Sequence, residues 1–254
     1  MYRRSDRGSG KDDIAMAKLY VVGMGPGSVE NMTLKSYNAV KNSDVIVGYT
    51  FYIDLLKELT EGKEIISTGM HGEIERCTMA VEKVKQGFNT VIISTGDAGL
   101  YGMAGPILEI ADGIDVEIIP GVTSSFEAAA ELGAPIMHDF CTISLSDLLT
   151  SWDTIEKRIR CACEGDFVIA LYNPKSKARK DNLRKAMDII SEYKKPDTPV
   201  GIVKNAGRQG NEKRITTISD IDYDFVDMRT VLIIGNSSTY IKGEKIITPR
   251  GYKI

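Results

Sequence analysis

Three apolar runs in the first half of the chain each lead straight into a glycine-bearing turn: Leu19–Gly27 (LYVVGMGPG), Val91–Gly102 (VIISTGDAGLYG) and Val116–Ser125 (VEIIPGVTSS). Glycine has no Cβ, so backbone at such a turn can come close to a ligand. In parallel α/β sheets the ligand lies outside the carboxyl ends of the strands. Three such ends in one sheet imply a single cleft for an elongated small molecule, and therefore an enzyme.

Helices separate these strands. Asp44–Tyr49 and Glu64–Ser67 read as further strands. Over Glu73–Gly87, Ile74, Cys77, Val81, Val84 and Phe88 recur at helical spacing, with Gly87 as the stop. Ser124–Leu132 is another helix, ended by Gly133 and barred from continuing by Pro135. Such βαβα order implies a mostly parallel sheet. The pattern then changes. Asp139–Leu145 and Phe167–Tyr172 read as strands around a helix with Ile155, Ile159 and Ala162 on one face. A long helix carries Leu183, Ala186, Ile190 and Tyr193, and Pro199–Asn205, Ile215–Ile218 and Thr230–Asn236 follow as strands. The link between the first two of these is short, which makes them antiparallel. The expected architecture is α/β in two units: a mostly parallel sheet in residues 16–134 and a mixed sheet in residues 135–254, with a cleft between. Residues 1–15 mix charge with glycine and lack an apolar core stretch; they read as a disordered leader or cloning remnant, with a start at Met16.

Of the 254 residues 43% are hydrophobic and 26% charged, as in a soluble globular protein with a real core. A net charge of −3 gives no reason to expect nucleic acid as a partner, and no apolar stretch approaches the roughly 18 residues that span a bilayer. Cys77, Cys141, Cys161 and Cys163 form no C-x-x-C pair, and His71 and His138 are the only histidines. That set lacks the spacing of a zinc site, so the expectation is buried free thiols in a reducing cytoplasm and no protein-bound metal.

Gly23-Met-Gly25-Pro-Gly27 invites comparison with the dinucleotide fingerprint G-x-G-x-x-G, and fails it. Ser28 stands at the third glycine position, Pro26 intrudes, and helical periodicity resumes only near Thr33. No acidic residue closes a strand about 20 positions on. A P-loop motif is also absent.

The turns VVGMGPG, STGDAGLYGMAG and IIPGVTSSFEAAAELGAP together resemble those of the tetrapyrrole methylases. That family binds S-adenosylmethionine between two α/β domains and commonly forms homodimers. The segments GAPIMHDFCTISLSDLLTSW, ALYNPKS, PVGIVKNAGRQG, VLIIGNSSTY and ITPRGY resemble one branch, the C17-methyltransferases that act on precorrin-3B or cobalt-factor III in cobalamin biosynthesis. The resemblance covers Met16 to Ile254, and it implies a tetrapyrrole substrate.

Carried over residue by residue, the resemblance places Met24 and Pro26 at the cleft where donor and tetrapyrrole meet. It places Thr95, Gly96, Asp97 and Leu100 around the methionine and ribose part, Thr123 and Ser124 at a further donor contact, and Tyr172, Asn173 and Ala206 near the adenine. Asp97 read alone could equally be a helix N-cap. Methyl transfer from a sulfonium needs alignment and exclusion of water rather than a strong base. The branch also contracts the macrocycle, a step that would profit from a placed acid or base. Among His138, Asp139, Ser144, Ser146 and Asp147 of the branch segment, His138 and Ser146 are the candidates. The run Lys175, Lys177, Arg179, Lys180, Arg184, Lys185 reads most simply as a solvated face. The implied substrate carries many carboxylates, and among Lys175, Lys204, Arg208 and Arg250 the arginines Arg208 and Arg250 are the preferred partners. Competing readings are a methylase of another tetrapyrrole position or of a modified histidine in a translation factor, a nucleotide-dependent oxidoreductase, and a binding module without chemistry.

Overall fold

The apolar runs Val45–Tyr49 and Thr90–Ser94 of the first half become strands covered on both faces, which is why they lack an in-out alternation. A computed structural model describes residues 17–253; the expected leader and the start at Met16 lie outside them. In chain order the first elements are β1 (Lys18–Gly23), α1 (Leu34–Asn42), β2 (Val45–Tyr49), α2 (Thr50–Leu55), β3 (Glu64–Thr68), α3 (Glu73–Lys85), β4 (Thr90–Ser94), α4 (Ala104–Ile110), β5 (Asp115–Ile119) and α5 (Ser124–Leu132). The five strands form one parallel sheet in the order β3-β2-β4-β1-β5. Leu19, Val21, Val45, Val47 and Ile92 face Cys77, Ala80, Val81 and Val84 of α3 and Ile107 of α4. Val22, Ile46, Val91 and Ile93 face Val40 of α1 and Ile53 of α2. The chain thus leaves β1 and β4, which are neighbours, toward opposite faces. That divergence opens a crevice at their carboxyl ends.

The second half continues with β6 (Gly133–Ala134), β7 (Phe140–Ser144), α6 (Trp152–Glu164), β8 (Val168–Tyr172), α7 (Asn182–Ser191), β9 (Pro199–Lys204), β10 (Glu212–Thr217), β11 (Thr230–Ile234), β12 (Tyr240–Lys242) and β13 (Lys245–Ile247). Its main sheet runs β10-β9-β11-β8-β7 and is mixed: β7 and β8 are parallel, the other neighbours antiparallel. One face packs on α6 and α7. The other packs on Ala128, Ala129 and Leu132 of α5, which precedes the expected boundary at residue 134. Gly201 makes this approach close, since a Cβ there would lie 2.3 Å from Leu132 Cδ1. A small sheet, β12-β13-β6, ties the C-terminal segment back to the end of α5.

Several details depart from the sequence reading. Strand β10 begins at Glu212, three residues before the expected Ile215, because its exposed charged start pairs with β9 through Lys204. Ile74 and Phe88 bracket α3 at helical spacing yet stand exposed, while Ala80 and Arg76 are buried. Tyr193 lies beyond α7 and is exposed. The cysteines are free, but only Cys77 and Cys163 are buried; Cys161 is on the solvent side of α6. Among the described residues no helix is long and apolar enough to cross a membrane, and no three His, Cys, Asp or Glu gather to hold a metal ion.

Candidate active site

The turns after β1, β4 and β5 are packed on one another. Gly25 and Gly96, both at φ +70°, exchange backbone hydrogen bonds: Gly25 N–H donates to Gly96 O at 3.1 Å and Gly96 N–H to Gly25 O at 2.7 Å. A Cβ on Gly121 would lie 2.2 Å from Gly96 O and 2.5 Å from Gly23 O. Gly23 and Gly121 therefore serve the contact between turns, which the sequence reading had credited to a ligand. Gly96 differs: it needs its dihedral, but an added Cβ would meet nothing nearer than Thr123 Cα at 3.6 Å. Asp97 ties the knot. Its Oδ1 accepts Gly99 N–H at 2.8 Å and Leu100 N–H at 3.1 Å, and its Oδ2 accepts Gly121 N–H at 3.0 Å. It holds a loop in shape and caps no helix.

The second half meets this knot at the end of β8. Tyr172 Oη is 2.7 Å from Thr123 Oγ1 and accepts the backbone N–H of Ser125 at 3.0 Å. The Tyr101 and Tyr172 rings stack edge-on with centroids 5.3 Å apart. Leu100 packs into the cluster that holds Tyr172 and Ala206. Pro26 accepts Arg208 Nε–H through its carbonyl and abuts Gly207. Thus Pro26, Thr95, Gly96, Asp97, Leu100, Thr123, Ser124, Tyr172 and Ala206 gather at one junction. Ser125 adds something the sequence reading overlooked: its Oγ is fully buried there with no hydrogen-bond partner among the described residues. Met24 does not take part. It is wholly buried in the core with Val22, Ile46 and Leu56, because the alternation of β1 turns it inward.

Asn173, at φ +52°, donates Nδ2–H to Ser144 Oγ at 2.9 Å, and Ser146 donates its N–H to the same oxygen at 3.2 Å. Both therefore sit at the carboxyl ends of β7 and β8, beside the junction. His138 does not. The register pairs Phe140 with Val168 and Ser144 with Tyr172, so His138 precedes the amino end of β7. A five-residue strand spans about 17 Å at 3.3 Å per residue, so His138 and Ser146 cannot act on one atom. His138 is instead half-exposed, its Nδ1 accepting the Asp139 N–H at 2.9 Å.

A groove of about 1070 Å³ opens next to the junction, between Gly27–Asn31 and Asp54–Glu58 on one side and Glu131 and Gly207–Asn211 on the other. Its lining carries the carboxylates of Glu30, Asp54, Glu58 and Glu131 against the cations of Arg208, Lys213 and Lys245. Burial pushes the neighbouring Glu127 carboxyl upward, helped by the charge of Glu131. Arg208 lines this groove, but its guanidinium is engaged by Pro26 O and lies 6.0 Å from the Phe51 ring. Burial lowers its pKa, as expected of a cation taken out of water. Arg250 is exposed and is not on the lining, so the expected arginine pair does not form there. Lys175 donates to Tyr223 O at 3.0 Å and Lys204 pairs with Asp227 at 3.3 Å.

Two α/β sheets meet over strand-end turns with buried polar groups converging at the junction, the setting in which α/β proteins commonly place a small-ligand site. A sequence model of the tetrapyrrole (corrin/porphyrin) methylases matches residues 18–222, and the chain belongs to that family. It is 50% identical over 240 residues to a probable cobalt-factor III C(17)-methyltransferase of Salmonella typhimurium, covering 93% of this chain and all of that one. It is 36% identical over 246 residues to a precorrin-3B C(17)-methyltransferase of a Sinorhizobium species, covering 92% and 96% of the two. The crystal structure of the methyltransferase CobJ superimposes with a TM-score of 0.87 at 33% identity, covering 92% of this chain and all of that one.

Proposed function

We propose that the protein is an S-adenosylmethionine-dependent C17-methyltransferase of cobalamin biosynthesis that acts on precorrin-3B or cobalt-factor III and contracts the macrocycle. The observation that carries this reading is the identity of 50% along the whole of the Salmonella typhimurium relative.

The junction suits an S-adenosyl ligand. An added Cβ on Gly96 would meet nothing nearer than 3.6 Å, and Ser125 Oγ is a buried hydroxyl without a hydrogen-bond partner among the described residues. Thr95 to Ala98 and Thr123 to Ser124 would hold the ligand through backbone and hydroxyl groups, with Tyr172 and Ala206 walling one side. When bound, the sulfonium supplies an electrophilic methyl group and departs as a neutral thioether. The residues then have only to align the acceptor carbon within about 3–3.5 Å and keep water out, which Pro26, Leu100 and Tyr101 do as apolar walls. Asn173 would stay on the adenine side of the ligand, and of the two candidates for the proton movements of the contraction Ser146, which lies beside the junction, is preferred over His138, which lies a strand's length away.

The same proposal covers a homodimer, a cytoplasmic location, no protein-bound metal, any cobalt being carried by the substrate, and two working units at 16–134 and 135–254. Anaerobic incubation with methyl-labelled donor and each substrate in turn tests the reaction by mass and absorbance. One added methyl and a contracted product are expected. Label on neither substrate, from a protein that binds S-adenosylhomocysteine, would point to a different acceptor and overturn the reading. Light scattering near twice 27.9 kDa is expected for the dimer.

A further inference from the structure

The sign of the large groove is wrong for a polycarboxylate, since its lining holds more carboxylates than cations. The cations gather elsewhere, in the run from Lys175 to Lys185 that follows β8. Half of that run is already engaged. Lys175 is held by Tyr223 O, the Arg184 guanidinium lies 4.3 Å from the Tyr223 ring centre, and Lys185 lies 5.4 Å from that of Trp152. Lys177 and Lys180 are exposed.

Arg179 is different. Its side chain is only 17% exposed, and its Nε–H is buried with no hydrogen-bond partner among the described residues. The nearest carboxylate oxygen, Asp147 Oδ1, is 3.9 Å from Nε, close enough to feel the charge and too far to accept the hydrogen. The backbone fixes this position. Ser176 and Arg179 exchange N–H to C=O bonds of 3.1 and 3.2 Å, and Ser176 Oγ also accepts Arg179 N–H. Asn182 Nδ2 donates to Leu145 O, which ties the start of α7 to the loop that carries Ser146 and Asp147. A buried donor left without a partner is costly, and more so on a charged group, so a native structure that keeps one has a use for it.

We propose that Arg179, poised against Asp147 of the loop that follows β7, is the docking point for a carboxylate of the tetrapyrrole substrate. A carboxylate entering at the ends of β7 and β8 satisfies Nε and displaces the weak attraction of Asp147. A guanidinium suits this task because its fork matches both carboxylate oxygens. This assigns substrate specificity to the side of the junction away from the acidic groove. It rests on the proposed reaction only in that the substrate is a polycarboxylate macrocycle.

Uroporphyrin, which carries eight carboxylates, is a stable probe read by fluorescence quenching, with S-adenosylhomocysteine calorimetry run in parallel. Arg179→Gln is expected to weaken uroporphyrin binding about 10–100-fold, as for a lost charge-assisted hydrogen bond, and to leave S-adenosylhomocysteine affinity unchanged. Arg179→Lys should recover part of the loss, and Lys180→Gln should change it less than about 2-fold, as a screened surface charge does. Asp147→Asn, which removes the competing charge, should tighten binding and serves if Arg179→Gln fails to fold. Equal uroporphyrin affinity in the parent, Arg179→Gln and Asp147→Asn would overturn the assignment while leaving the methyltransferase reading intact. A parent that binds S-adenosylhomocysteine but no uroporphyrin would also overturn the docking assignment, while the methyl-labelling assay on precorrin-3B and cobalt-factor III decides the methyltransferase reading separately.

Discussion

Both carboxylate oxygens of Asp97 accept backbone amides, two in its own loop and one from Gly121 across the knot. The residue is therefore a brace whose loss should be felt in stability as well as binding. Asp97→Ala is expected to cost about 2–4 kcal/mol, because three amides lose a charged acceptor. Thermal unfolding with and without S-adenosylhomocysteine checks this, and Asp97→Asn, which keeps one acceptor oxygen, should lose less. The glycines divide in the same way. Gly121→Ala would drive a methyl group into the Gly96 and Gly23 carbonyls and should destabilise by about 3 kcal/mol or more. Gly105, in the first turn of α4 with open space around it, is the counterpart. Gly105→Ala should stabilise by about 0.5–1 kcal/mol, since it removes backbone freedom from the unfolded chain and meets nothing in the fold. Denaturant midpoints for the two variants should move in opposite directions.

At the scale of an element, α6 shows how a helix sorts chemically identical groups. Cys161 and Cys163 are two residues apart, about 200° around the helix axis, so one faces water and the other the core. Burial pushes the Cys163 thiol up to about 11, and it does the same to Cys77 and Cys141. Alkylation proceeds through the thiolate. Iodoacetamide at pH 8 should therefore label Cys161 first, with the other three reacting only on unfolding, as peptide mass mapping will show. Helix α5 illustrates a second point. Its first turn helps form the junction through Thr123 and Ser125, while its body covers the second sheet.

Across the whole molecule, the first sheet ends at β5, an edge strand whose ladder with β1 is reinforced by charge. Glu117 receives hydrogen bonds from Lys18 at 2.8 Å and Lys35 at 2.6 Å, which hold its carboxyl down at about 2 from an ordinary 4.5. A carboxylate with a depressed folded pKa contributes stability that is complete above its unfolded value. The contribution is lost as pH falls from about 4.5 through about 2. Glu117→Gln should be less stable than the parent at pH 6, and the gap should close on acidification through that window. Urea midpoints at pH 6, 4 and 3 provide the check. The site is solvent-exposed, so added salt should shrink the gap too.

The sequence by itself determined the strands of the two five-stranded sheets, while the small sheet of β6, β12 and β13 came only with the tertiary structure. Runs such as Val91–Ser94 and Val168–Tyr172 have to be buried on both faces, and the glycines after them have to turn. The motifs at those turns carried enough chemistry to place Pro26, Gly96, Thr123, Tyr172 and Ala206, from both halves of the chain, at one junction. What remained hidden depends on distances between segments far apart in the chain. That His138 stands a strand's length from Ser146 follows from the β7–β8 register, which local pattern does not encode. That Arg208 is occupied by Pro26, while Arg179 Nε has no hydrogen-bond partner among the described residues, follows from contacts between segments far apart in the chain. That Gly121 serves a neighbouring turn rather than a ligand follows from a 2.2 Å approach to Gly96 O. Periodicity reports which face a residue takes, and only the packed chain decides what that face meets.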